Sequence, residues 1–316
     1  TGTIAQGVQA KQVNSKGEVY EHIYGLTTSQ RVYGTVRENQ LGHGPCYLQT
    51  SGITSEQDQD LLKAYLNMAP SQTLKWIESG KMPGEQDVEI QGTEPYIVGG
   101  HTASGFWVDT KRETTIHGLY AAGDVAGGCP QKYVTGALAE GKIASLAIIE
   151  QLKAASVEQT STIEDQAQAV LNDYKKIRST QNGLFTIDDL EEAMQKVMDE
   201  YAGGIASNYQ FNEKQLKLAE EKIARLSELA EQIGAEDMHE LLFAYELKER
   251  LLVCQVLIEH LKNRKETRWH SFNENLDHPE TDQKFEKYVN SRMEDGKIRI
   301  LFRDLVKGDT YEHTNS

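Results

Sequence analysis

Apolar positions recur along the chain with two different periods, and the change of period divides it. Residues 4–13 alternate polar and apolar, as a strand does, and the run Val13-Asn-Ser-Lys-Gly-Glu-Val-Tyr20 predicts a turn at 15–17 and a second strand. A helix is predicted over Thr28 to Gln40, followed by a glycine turn and a strand within Leu41 to Leu48. Thr54 to Met68 predicts a capped helix with acids in its first turn, stopping before Pro70. A short helix is expected over Ser71 to Ser79, and short strands around Val88–Ile90, at Tyr96–Val98, at Phe106–Asp109 and at Leu119–Ala122. From about Thr135 to Lys153, apolar residues fall on overlapping faces, which predicts a largely buried helix.

Beyond a polar connector at 154–162 the period is helical. Helices are expected over 163–177, from Thr186 to the Gly203-Gly204 pair, over 212–234 and from Met238 to about Lys265. The helices over 163–177, 212–234 and from Met238 carry apolar residues at core spacing, the one from Thr186 has an N-cap and acids in its first turn, and the connections are short, so three or four of them predict an antiparallel bundle. Lys297 to Arg303 alternates again and predicts a strand.

Composition narrows the function classes. The 316 residues are enough for two or more domains. A net charge of −15 disfavours nucleic acid and anionic membrane surfaces as partners. The cysteines, Cys46, Cys129 and Cys254, lie far apart without a Cys-x-x-Cys spacing, so no metal or iron–sulfur site is expected in this chain, and their sparseness suits a reducing cytoplasm. No apolar run is long enough for a transmembrane segment, and no basic-apolar leader is present.

The candidate chemistry lies in one stretch. Glu94-Pro-Tyr-Ile-Val-Gly-Gly-His101 runs a strand into glycines and a histidine, and Gly118-Leu-Tyr-Ala-Ala-Gly-Asp124 runs a second strand into Gly123 and an acid. Small residues there let a ligand approach the backbone. The helix that follows starts with Thr135, Gly136, Ala137 and Leu138, so its first N–H groups are open to an anionic or electron-rich ligand. Asp124, at a strand end, is placed to accept hydrogen bonds from ligand hydroxyls; the alternative is an ordinary cap or turn residue.

These residues resemble the second half of the flavin-binding domain in the succinate dehydrogenase/fumarate reductase flavoprotein superfamily. The resemblance implies FAD, with Asp124, after Gly123, on the ribityl chain. It also implies that the backbone of Thr135, Gly136, Ala137 and Leu138 faces the isoalloxazine and that His101 lies near the flavin. The runs Arg31-Val-Tyr-Gly-Thr-Val-Arg-Glu-Asn39, Gly42-His-Gly-Pro-Cys-Tyr-Leu48, Thr93-Glu-Pro-Tyr96 and Tyr133-Val-Thr-Gly136 are similar to the adenylylsulfate reductase alpha-subunit branch. Where succinate and fumarate enzymes carry an Asn-Arg pair before the flavin-facing helix, this chain has Gln131-Lys132, so Lys132 is a candidate substrate contact as a point charge. Arg31, as a catalytic residue, and Arg37, as a substrate contact, lie on the implied substrate side; the equal alternative is that both are solvated surface charges. The superfamily exchanges electrons with an iron–sulfur subunit, here expected to be a separate chain, and the implied substrate is a small anion.

The implied fold class is α/β plus α: part of an FAD-binding Rossmann-like domain and a capping domain, followed by a C-terminal helical bundle. The expected divisions are 1–53 for the end of the capping domain, 54–153 for the second half of the FAD-binding domain, 154–270 for the bundle and 271–316 for an extension. A Gly-x-Gly-x-x-Gly fingerprint is not found, so the chain reads as the C-terminal half of a flavoprotein, or as one part of a split one. Three functions compete: an adenylylsulfate reductase-like oxidoreductase, a fumarate or succinate enzyme with a dicarboxylate substrate, and a non-catalytic interaction fragment.

Overall fold

In the computed structural model the described residues are 7–26, 28–91, 105–128, 134–154, 162–180, 184–268 and 273–305. The expected strand Tyr96–Val98, together with His101, Cys129 and Lys132, lies outside them. The chain divides into two compact units.

The first unit takes in residues 1–96, 203–210 and 267–274. Strands β1 (Lys11–Val13), β2 (Cys46–Gln49) and β3 (Val88–Ile90) form an antiparallel sheet in that order, with Lys11 opposite Gln49 and Cys46 opposite Ile90. Asn14 shapes the turn after β1, because its Oδ1 accepts the amides of Lys16 and Glu18 at 3.0 and 3.1 Å. The expected second strand is reduced to a bridge between Val13 and Val19, and a short helix α1 (Glu21–Tyr24) follows that the residue pattern does not show. Helix α2 (Thr28–Gln40) matches its prediction.

Helix α3 (Ser55–Met68) begins with a capping box in which Thr54 and Gln57 satisfy each other's backbone amides. It turns at Ala69 into α4 (Pro70–Ser79), where Pro70 occupies a first-turn position that needs no N–H partner. The apolar faces of α3 and α4 meet the sheet through Leu61, Tyr65 and Trp76, which pack with Ala10, Leu48 and Val88. The Tyr65 and Trp76 rings meet edge to face at 5.1 Å.

The second unit takes in 97–202, 211–266 and 275–316. It contains α5 (Val134–Ala154), α6 (Thr162–Ser179), α7 (Ile187–Tyr201), α8 (Glu213–Ala230) and α9 (Met238–Asn263). Thr186, Asn212 and Asp237 cap α7, α8 and α9 by accepting first-turn amides. Leu216, Ile223, Leu247 and Leu251 are buried, as the stripes predict, and Leu190, Met194 and Ile258 join them, whereas Leu218, Leu242 and Leu252, expected at core spacing, are exposed. Two-residue strands β4 (Gln210–Phe211) and β5 (Glu274–Asn275) pair with each other. A hairpin of β6 (Lys287–Glu294) and β7 (Lys297–Asp304) packs on α9.

Two expectations for this unit are corrected. The strands expected at 106–109 and 119–122 are isolated bridges, Phe106 with Ala126, Val108 with Thr114 and Glu113 with Tyr120. Helix α5 is not largely buried. Glu140, Ala144 and Ala147 form its buried stripe, while Leu138, Leu146 and Leu152 are 69%, 54% and 59% exposed. Its small side chains, one turn apart, are the ones that find packing partners, and the large ones face outward. Among the described residues no helix is long and apolar enough to cross a membrane.

Candidate functional site

Gly123-Asp124-Val125 forms a single helical turn that sits on the start of α5. Gly123 is buried at φ 72°, and a Cβ placed on it would lie 3.1 Å from the Cβ of Ala137. The glycine therefore serves a close approach of turn and helix as well as the left-handed backbone.

Neighbouring segments hold this turn. Ala126 N–H donates to the Gly123 carbonyl at 3.0 Å, and Phe106 and Val125 share a 2.8 Å backbone bond. Gly105, at φ 147°, leaves no room for a side chain, since its Cβ would meet Gly127 N and Val125 O at 2.6 Å. These glycines are accounted for by backbone packing within the chain. Beneath the turn, Gly123 N–H donates to Glu140 Oε2 at 3.2 Å, inside the unit. Glu140 Oε1 faces Arg112 Nε at 3.2 Å, as an ion pair whose N–H is not aligned for a hydrogen bond. Arg112 Nη1 donates to the Asp109 carbonyl at 3.1 Å, and Ala121 N–H donates to the Arg112 carbonyl at 3.0 Å.

Six of the sequence-derived candidates thus come together: Gly123, Asp124, Thr135, Gly136, Ala137 and Leu138. Asp124, Thr135 and Leu138 are exposed, and Gly136 and Ala137 are half-buried. An outward carboxylate beside a helix start of small residues, on a turn whose own glycine amide is already engaged, suits a hydroxyl-bearing ligand that lies against exposed backbone. The residues present fit FAD as such a ligand. Glu140 and Arg112 were not singled out from sequence. The available signal was an acid in the otherwise small and apolar run Thr135-Gly-Ala-Leu-Ala-Glu140-Gly; Arg112, in a charged turn, carried none.

The two arginine candidates belong to the first unit, where both already have acidic partners. Arg31 Nη2 lies 3.6 Å from buried Glu21, and its Nε donates to the Leu26 carbonyl at 3.1 Å. Arg37 Nη1 donates to Gln40 at 2.6 Å and to Glu274 at 3.2 Å. An anionic ligand on either guanidinium competes with a carboxylate. Next to Arg37 in sequence, Glu38 is buried and accepts from Asn14 at 3.1 Å, Tyr24 at 2.9 Å and His43 Nδ1 at 3.0 Å. Burial by itself pushes the Glu38 carboxyl up, and the hydrogen bonds from Asn14, Tyr24 and His43 outweigh it, holding the group below its ordinary value. Among the described residues no cluster of three potential metal ligands occurs.

No family model matches the chain. It is 27% identical over 351 residues to the adenylylsulfate reductase subunit alpha of Megalodesulfovibrio gigas, covering 92% of this chain and 53% of that protein. It is 26% identical over 266 residues to an uncharacterized FAD-dependent oxidoreductase of Methanocaldococcus jannaschii, covering 81% and 44%. The structure of adenylylsulfate reductase from Archaeoglobus fulgidus superimposes with a TM-score of 0.83 at 27% identity, over 98% of this chain and 57% of that one. The E. coli quinol fumarate reductase FrdA shares the fold, with a TM-score of 0.79 at 21% identity over 96% and 56%. The chain spans about half the length of the curated relatives it matches. The resemblance to the adenylylsulfate reductase alpha subunit read from the sequence is borne out, and the fold is shared with a fumarate reductase flavoprotein.

Proposed function

We propose that this chain, as a homologue of those flavoproteins, is the FAD-contacting part of an adenylylsulfate reductase-like oxidoreductase that exchanges electrons between a small anionic substrate and a separate iron–sulfur chain. The observation that carries the reading is the seat of the Gly123–Asp124 turn on the first turns of α5, with the Asp124 carboxylate and the helix start exposed together. FAD supplies the two-electron chemistry when bound. The chain's own residues bind and orient it. The Asp124 carboxylate accepts hydrogen bonds from ribityl hydroxyls, and the open first-turn N–H groups of Thr135 and Gly136 face the ring system at the positive end of the helix, with Ala137 and Leu138 lying alongside. In the same reading His101 is a flavin contact and Lys132 a substrate contact, and Arg31 and Arg37 are separate candidates that take an anion only by exchanging their bonds to Glu21 and Glu274. The finer layout is a capping domain, the second half of a Rossmann-like FAD-binding domain and a C-terminal helical bundle.

A dicarboxylate substrate is the second reading, and Gln131-Lys132 in place of Asn-Arg disfavours it, because a lysine lacks the bidentate fork that grips a carboxylate. The test is the visible spectrum of the protein at its natural length, before and after dithionite, followed by titration with adenosine phosphosulfate and with fumarate. A flavin band that bleaches and is reoxidised by a sulfur nucleotide acceptor, but not by fumarate, is the expected result. A colourless protein that takes up no added FAD sinks the oxidoreductase reading and leaves a non-catalytic interaction fragment.

A further inference from the structure

We propose that Glu140 and Arg112 form a buried positioning pair that sets the height and tilt of the Gly123–Asp124 turn on α5, and so determines how tightly and in what orientation the flavin is held. The inference rests on the FAD reading above.

Glu140 is 4% exposed and sits in the second turn of α5, on the stripe it shares with Ala144 and Ala147. A carboxylate there is expensive unless its charge is met. It is met from two directions. Oε2 takes the Gly123 amide at 3.2 Å, and Oε1 faces the Arg112 guanidinium at 3.2 Å. Arg112 is itself tied to the 109–121 hairpin: Nη1 bonds the Asp109 carbonyl, and the Arg112 carbonyl takes the Ala121 amide.

One side chain therefore fastens three pieces of backbone: α5, the turn that carries Asp124, and the hairpin that leads into that turn. The neighbouring geometry makes the fastening directional. Gly123 lies so close to Ala137 that an added methyl would meet it at 3.1 Å, so the turn seats this low on the helix only as glycine. The hydrogen bond from Gly123 to Glu140 opposes lifting of the turn. Asp124, one residue on, faces outward, as do Thr135 and Leu138 at the helix start. Glu140 does not reach that face. It acts through Gly123, and Arg112 acts through Glu140.

The experiment is made on the protein at its natural length with Glu140→Gln and, separately, Arg112→Gln. Gln at 140 keeps an acceptor for the Gly123 amide and removes the charge that Arg112 meets. Three readouts are taken: the FAD dissociation constant, the circular dichroism of the bound flavin in the visible, and the midpoint potential at full flavin occupancy. A role confined to stability moves none of the last two. The expected result is folded variants that bind FAD about tenfold more weakly, the scale of a lost charge-assisted buried contact, with an altered flavin dichroism band and a shifted potential. Wild-type affinity, dichroism and potential in either folded variant overturn the inference and leave the FAD reading intact. Failure of both variants to fold also overturns it, because the pair then acts on the fold alone. A parent protein that takes up no FAD overturns both readings, and that outcome is recognised before any variant is made.

Discussion

At the scale of single residues, charge placement decides most of what is specific here. Glu38 keeps a negative charge inside the first unit because Asn14, Tyr24 and His43 all donate to it. Its folded value lies below the ordinary carboxylate value of 4.5, so its contribution to stability is fully present above that value and is lost as pH falls through the lower folded one. Urea melts at a series of pH values below about 5 are expected to show stability falling with pH. Glu38→Gln is expected to flatten that slope and to cost about 1–3 kcal/mol at neutral pH through the donors it leaves poorly met. An unchanged slope would show that other carboxylates carry the acid sensitivity. Arg31 and Arg37 illustrate the opposite limit of sequence reading. Their spacing on α2 was visible, whereas Glu21 and Glu274, the carboxylates that take them up, come from another helix and from a segment 237 positions away.

At the scale of elements, local signals worked where they were local. Thr54, Thr186 and the Asn and Asp caps place helix starts within a residue of their predicted positions, because a cap needs only the next turn of its own chain. The β6–β7 hairpin was half seen. Asp295-Gly296, at φ 49° and 72°, is the two-residue turn that right-twisted strands favour, but only β7 alternates clearly enough to declare itself. Gly296 has open space around its missing side chain, so Gly296→Ala is expected to cost only the left-handed backbone term, about 1–2 kcal/mol. Gly105→Ala is expected to cost more, since backbone atoms of 125–127 lie within 2.7 Å of the new methyl. Thermal melts of the two variants side by side give the comparison, and equal losses would refute it.

At the scale of the whole molecule, α5 shows that apolar content does not decide which face of a helix is packed. Its large side chains project outward while its small ones are packed, although the helix is apolar enough to be read as buried. Leu146→Gln with Leu152→Gln is expected to lower the binding of a hydrophobic dye such as ANS by this 316-residue chain, with the melting temperature unchanged, because neither leucine is packed in it. A drop in melting temperature would mean that the face is covered.

Residue spacing was enough for the capped helices, for much of the apolar stripes of the bundle, and for the overall likeness to flavoproteins that the adenylylsulfate reductase homologues bear out. Each depends on residues within one or two turns of one another, where spacing translates directly into geometry. Only the three-dimensional structure decided that Glu140 lies under Gly123, that Arg112 meets it, that Arg31 and Arg37 are both paired with carboxylates, and which face of α5 is packed. Those outcomes turn on which distant segment supplies the partner for a buried charge or an apolar face, and residue spacing carries no record of that.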